Sequence, residues 1–171
     1  MLLQIRPQDN LTRRARKILN ELEPAEARRL GFRYPQTDHV VQAMLRAEHS
    51  HLANEFVAST IFRHLKVHTR ILAKRVESRL LGYSVSNESF PAPQSMVPQI
   101  KRAAAEEARR LGEGYVGSEH LLVACLSDRH SVAVKTLAEV GFTHDSTAKL
   151  LKNRLGAIHR ITLNNYYSND R

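Results

Sequence analysis

The chain has no tryptophan, one cysteine, seven glycines and six prolines in 171 residues, and aromatics make up only 6% of it. Scarce glycine, proline and aromatic residues argue against a turn-rich β-sandwich and towards helices. A single cysteine excludes an internal disulfide framework and suits a reducing compartment. No stretch approaches the roughly 18 uninterrupted apolar residues that a membrane span needs. The opening Met1-Leu2-Leu3-Gln4-Ile5-Arg6 lacks a basic start ahead of an apolar run, and Arg6 and Pro7 interrupt it, so no signal peptide is expected. These absences lead us to expect a cytoplasmic, helical, globular protein with no membrane partner. Positive charge, by contrast, is abundant: 26 Lys+Arg against 17 Asp+Glu, a formal net charge of +9. A surplus of that size brings nucleic acid into view as a partner.

Self-similarity organises the chain. Glu26-Ala27-Arg28-Arg29-Leu30-Gly31 recurs letter for letter as Glu107-Ala108-Arg109-Arg110-Leu111-Gly112, at an offset of 81. In the same register Tyr34 meets Tyr115, Thr37 meets Ser118, Asp38 meets Glu119 and His39 meets His120. Near the ends, Arg79-Leu80-Leu81-Gly82 matches Asn153-Arg154-Leu155-Gly156 at an offset of 74, so the first unit is seven residues longer, with the excess around residues 52–66.

Each unit reads as four helices. In the first, Thr12 caps a helix to Leu30 that Pro24 should kink or divide, and Thr37 caps the second. The third spans roughly 51–63, and the fourth runs from about Lys66 to Leu81. The second unit echoes this with Ser95 to Leu111, Ser118 to Leu126, Ser131 to Val140 and about His144 to Leu155. Five of the seven glycines (31, 82, 112, 141 and 156) stand directly after a helical pattern ends, where a left-handed cap is wanted. The expected fold is all-α, eight helices as a tandem pseudo-twofold repeat of two four-helix units. Residues 1–82 form the first, divergent unit, 83–94 a linker, 95–156 the second unit and 157–171 a tail. A unit of about 70 residues is marginal alone, so the two should share one compact domain.

The phrase Glu107 to Gly112, followed by Tyr115-Val116-Gly117-Ser118-Glu119-His120-Leu121-Leu122, resembles the Clp repeat, the duplicated four-helix unit at the N-terminus of Clp-family AAA+ unfoldases, especially the ClpC type. Ala133-Val134-Lys135-Thr136-Leu137 and Val140-Gly141 continue the likeness, and Leu11-Thr12-Arg13-Arg14-Ala15 resembles the family's opening helix. The resemblance covers roughly residues 11–156. It implies a domain without catalysis that binds protein substrates and adaptor proteins and serves Clp unfoldase and protease components, either as the N-terminal part of a longer unfoldase or as a stand-alone regulator. The sequence holds no G-x-x-x-x-G-K-[ST] phosphate cradle, in keeping with a non-enzymatic role and no cofactor.

Glu119 is the most informative single residue. With Ser118 as N-cap it falls in the first helical turn, where the helix dipole favours a carboxylate whatever its role. A fixed carboxylate can also accept a bidentate guanidinium. In ClpC-type domains the matching glutamate is implicated in recognising phosphoarginine, and the resemblance carries that role to Glu119 with Ser118, and less well to Asp38 with Thr37. Asp38 is a methylene shorter, and Gln36 stands where the second unit has Gly117. His39 and His120 read as structural hydrogen-bonding residues. His49-Ser50-His51 lacks a third ligand at convincing spacing, so no metal is expected, and Cys125 reads as a small core residue.

The basic excess is concentrated in residues 1–82, which hold 15 Lys+Arg against 8 Asp+Glu. Arg13, Arg14, Arg16 and Lys17, and the run from Arg70 to Arg79, would line a solvated face or meet an acidic protein partner. The alternative from another class is a basic helical nucleic-acid-binding protein using the first unit. The absence of a stacking platform, an RNP-like motif or a clear helix-turn-helix signature disfavours nucleic acid.

Overall fold

The computed structural model describes residues 10–47, 57–66, 68–86 and 95–153. These form α1 (Arg13–Lys17), a π-helical turn (Ile18–Leu22), α2 (Glu23–Arg29), α3 (Thr37–Ala47), α4 (Val57–His64) and α5 (Thr69–Ser86). There follow α6 (Val97–Arg110), α7 (Ser118–Leu126), α8 (Val132–Ala138) and a last helix, α9, over 144–153. Taking α1, the π turn and α2 as one continuous rod, this is the all-α arrangement of eight helices that the sequence suggests. The one extended contact among the described residues is an isolated bridge between Leu11 and Val116.

Several boundaries move for identifiable reasons. Thr12 does cap α1, its Oγ1 accepting from the Ala15 N–H at 3.1 Å. Pro24 does not divide the rod; it sits in the first turn of α2, directly after the π turn. Proline has no N–H, and its ring crowds the carbonyl four residues back. The wider turn, closed by the Glu23 N–H on the Ile18 carbonyl, absorbs that crowding without a break. Gly82 does not end a helix but lies inside α5, which continues to Ser86, so the helix enters the expected 83–94 linker. The first part of the expected third helix, the rest of the linker, Gly156 and the tail lie outside the described residues.

Gly31, Gly112 and Gly141 do close helices, with φ of +79°, +78° and +79°. Each closure uses the same pair of bonds. At the first, the Phe32 N–H reaches the Ala27 carbonyl at 2.9 Å and the Gly31 N–H reaches Arg28 at 3.1 Å. At the second, Glu113 reaches Ala108 at 2.8 Å and Gly112 reaches Arg109 at 3.1 Å. At the third, Phe142 reaches Leu137 and Gly141 reaches Ala138. This geometry satisfies carbonyls that the helix end leaves open and needs a left-handed residue, which glycine adopts without a Cβ penalty. After α4 the left-handed position is held by Lys66, at φ 54°.

The core is built on α3 and α7. In α7 every residue from Ser118 to Leu126 is buried, and in α3 only Arg46 is exposed. Each central helix touches the other half of the chain: α3 packs on α8, and α7 packs on α4. Phe62 of α4 and Phe142 before α9 meet with ring centroids 5.3 Å apart. Such burial is worth on the order of 2 kcal/mol per large apolar side chain, which makes this shared interior the main source of cohesion. The halves are also joined through backbone. The Thr12 N–H donates to the Val116 carbonyl at 3.0 Å, and the Met96 N–H donates to the Pro35 carbonyl at 3.0 Å. Pro35 and Val116 are equivalent at the offset of 81, and proline keeps the acceptor this contact needs.

Candidate functional site

The repeated motif builds the starts of α3 and α7. Thr37 and Ser118, expected to be N-caps, are the first helical residues instead; the caps are Gln36 and Gly117. The repeated histidines cause the shift. His39 Nδ1 accepts from the Gln36 N–H at 2.9 Å, and His120 Nδ1 accepts from the Gly117 N–H at 2.9 Å. An imidazole thereby does what a glutamate does at the third position of a capping box. Accepting at Nδ1 requires a neutral ring protonated at Nε2. For His39, burial agrees, holding its pKa down to about 4. At the second site the Glu119 carboxylate comes within 3.6 Å of His120 Nδ1. Because that nitrogen is already an acceptor, the contact is not an ion pair. Phe32 meets the His39 ring edge-on at 4.7 Å, and Tyr115 meets His120 at 5.9 Å.

The carboxylates are not on open grooves. Asp38 is 6% exposed and Glu119 1%, with Thr37 and Ser118 equally enclosed. Asp38 turns towards the other half of the chain. Its Oδ1 accepts from the Ser131 hydroxyl at 2.7 Å and from the Ala133 N–H at 2.8 Å. Ser131 is itself the N-cap of α8, accepting from the Val134 N–H at 3.1 Å. Burial pushes the Asp38 pKa up, while the Ala133 N–H and the Ser131 hydroxyl pull against it. Across the molecule the Ser118 hydroxyl accepts from the Ala58 N–H in the first turn of α4 at 3.2 Å. The start of each central helix therefore caps a helix of the opposite half.

A size exchange separates the two sites. A Cβ on Gly117 would run into the Glu119 carboxylate, which folds back over that residue. The first site has a side chain at that position, Gln36, together with the shorter Asp38. Long acid with glycine, or short acid with a side chain, are the two combinations present.

The basic residues divide. Arg13 and Arg16 are exposed on α1, Arg14 and Lys17 are half-buried, and Arg16 donates to the Leu11 carbonyl at 2.8 Å. The run in α5 is not simply solvated. Arg79 makes a bidentate pair with Glu139 at 2.8 and 3.0 Å and donates to Thr136 Oγ1, tying α5 to α8. Arg29 pairs with Glu77 and Glu26, and Arg46 with the same two acids. Three arginines of the first unit are thus held in contacts between helices. Among the described residues no cluster of three His, Cys, Asp or Glu side chains could hold a metal, and His49 and His51 lie outside them. Cys125 is buried in α7, and burial pushes its thiol pKa up, which keeps it unreactive. No described helix is long and apolar enough to cross a membrane.

Comparison with known proteins agrees with this architecture. Residues 94–169 match the family model described as the Clp repeat (R) N-terminal domain. The chain is 32% identical over 131 residues to a probable ATP-dependent Clp protease ATP-binding subunit from Chlamydia pneumoniae, covering 75% of this chain and 15% of that one. It is 28% identical over 147 residues to the negative regulator of genetic competence ClpC/MecB from Bacillus subtilis, covering 85% of this chain and 17% of the relative. A solved structure from preliminary structural investigations of a malarial protein secretion system superposes with a TM-score of 0.66 at 19% identity, over 85% of this chain and 94% of that one, and shows the fold. The chain spans about 15–17% of the length of the curated relatives it matches. With its repeated helix-start motif and all-helical fold, the chain carries a Clp repeat N-terminal domain.

Proposed function

We propose that this chain is a non-catalytic protein-interaction domain that binds protein substrates or adaptor proteins for a Clp ATP-dependent unfoldase or protease. The observation that carries the reading is the match of residues 94–169 to the Clp repeat N-terminal domain. The relatives, among them a Clp protease ATP-binding subunit and ClpC/MecB, support the connection to Clp systems. The domain acts either at the head of a longer unfoldase or as a stand-alone regulator, and in both cases its work is recognition. The residues proposed for recognition are Glu119 and Ser118 at the start of α7, with Arg13, Arg14, Arg16 and Lys17 as a basic surface for an acidic protein partner.

Within this reading Glu119 is the better receptor for a phosphoarginine side chain. Asp38 is a methylene shorter, and Gln36 stands where the second unit has Gly117. Thr37 beside Asp38 is buried as well. At Glu119 a guanidinium enters by opening the contact between α7 and α4, replacing the Ala58 N–H that Ser118 now holds. Titrating the chain with an arginine-phosphorylated peptide tests this. Affinity should fall at least tenfold in Glu119→Ala and much less in Asp38→Asn; unchanged affinity in Glu119→Ala removes the site.

A further inference from the structure

A cavity of about 430 Å³ opens between the end of α7, α8 and the start of α9. That is large enough for one or two side chains, at the lower end of the size of ligand sites. Its floor is apolar: Leu126, Val134 and Phe142 are buried beneath it, and Ala138 stands exposed at its edge. Arg129, from the turn between α7 and α8, and Lys135, on α8, line the same cavity and are both exposed.

These two cations differ from the paired arginines of the fold. Arg29, Arg46, Arg75, Arg79 and Arg110 each pair with a carboxylate. Among the described residues Arg129 and Lys135 have no such partner. The acid on the rim, Asp145, comes from α9, and His144 bridges it at 3.2 Å and Glu107 at 3.4 Å. The rim is therefore polarised, with unpaired positive charge on the α8 side and the acid on the α9 side. An apolar floor with unpaired cations on one side fits an apolar group joined to an anion, and the small volume fits a chain end better than a continuous segment.

We propose that this cavity binds the C-terminus of a protein partner, seating an apolar last residue on Phe142 and Val134 with its α-carboxylate between Arg129 and Lys135. The proposal rests on the reading of the chain as a protein-interaction domain and gives that reading a second, separate site. Capture of a free C-terminal carboxylate is a recurrent mode of peptide recognition.

The test uses a labelled decapeptide ending in Asp-Leu-Leu, with either a free or an amidated C-terminus, followed by fluorescence anisotropy on the full chain. The free acid should bind at least tenfold more tightly than the amide. The double variant Arg129→Gln/Lys135→Gln should erase that difference, and Ala138→Trp, which fills the cavity from its exposed edge, should weaken the free acid at least tenfold. Equal binding of acid and amide, no binding of either, or binding indifferent to Ala138→Trp overturns the proposal. An arginine-phosphorylated unfolded protein titrated into the same preparation separates the two readings. If it binds while the free-acid peptide does not, only the cavity proposal fails; if neither binds, the interaction-domain reading fails with it.

Discussion

The Asp38 carboxylate accepts a 2.7 Å hydrogen bond from the hydroxyl of Ser131, ninety-three residues away in the sequence. Through that bond, and the parallel one from the Ala133 N–H, the start of α3 caps α8. The contact is buried, so its loss leaves donors of α8 without water to replace it. Asp38→Ala should destabilise the chain by about 2–3 kcal/mol, and Asp38→Asn, which keeps an acceptor, by about 1 kcal/mol. Urea unfolding of both variants and of Ser131→Ala checks this. The Asp38 and Ser131 losses should be clearly non-additive, because the two side chains share one network.

Gly117 and Glu119 should behave as a coupled pair. A methyl group at Gly117 meets the folded-back carboxylate, so Gly117→Ala should cost about 1–3 kcal/mol through overpacking. Glu119→Asp in the same chain shortens the acid and reproduces the combination at Gln36 and Asp38. The double variant should recover at least half of the loss in thermal unfolding.

Glu23 predicts a pH dependence. It is fully buried at the junction of the π turn and α2, and among the described residues neither carboxylate oxygen has a hydrogen-bond partner. Burial pushes its pKa up to about 7, against the pull of Arg28. The folded state thus holds this proton more tightly than the unfolded chain, and the associated stability declines as pH rises from about 4.5 to about 7. Glu23→Gln should be more stable than the parent at pH 8 by about 2 kcal/mol and nearly equal to it at pH 4.5. His39 has the opposite sign: held neutral with a pKa near 4, it contributes stability that is lost as pH falls below 6.5 towards 4. In Glu23→Gln the acid-side decline from His39 should therefore stand out more clearly.

Two exposed backbone positions should each gain stability on substitution. Gly82 lies inside α5 with open space where a Cβ would stand, so Gly82→Ala should stabilise by about 1 kcal/mol. Lys66 holds a left-handed conformation at φ 54° that Gly141 holds with glycine after α8, so Lys66→Gly should stabilise by up to about 1 kcal/mol. Thermal midpoints of the two single variants give both answers.

The all-helical class, the bounds of α7, the Ser131 cap and the closures at Gly31, Gly112 and Gly141 are legible because each is written within a few neighbouring residues. Pro24 reads as a kink or a division because local rules do not include the π turn that relieves it. Gly82 was read as a stop although the helix continues past it. Thr37 and Ser118 looked like caps by residue type, yet the histidines two positions later fix the caps one residue earlier. The enclosure of Asp38 and Glu119 was out of reach for another reason. It is made by α8 and α4, distant in sequence, and no local pattern announces which helix will cover a helix start. Arg75 and Arg79 likewise look solvated until α5 is seen against Glu139.

The proposed role is recognition of protein rather than nucleic acid. The most direct measurement is a fluorescence titration of the chain with a labelled, arginine-phosphorylated unfolded protein, with duplex DNA as competitor at about 100 mM salt, where non-specific attraction to phosphates is already weakened. Saturable binding that DNA leaves intact is the predicted result. Absence of binding, or its displacement by DNA, would contradict the account.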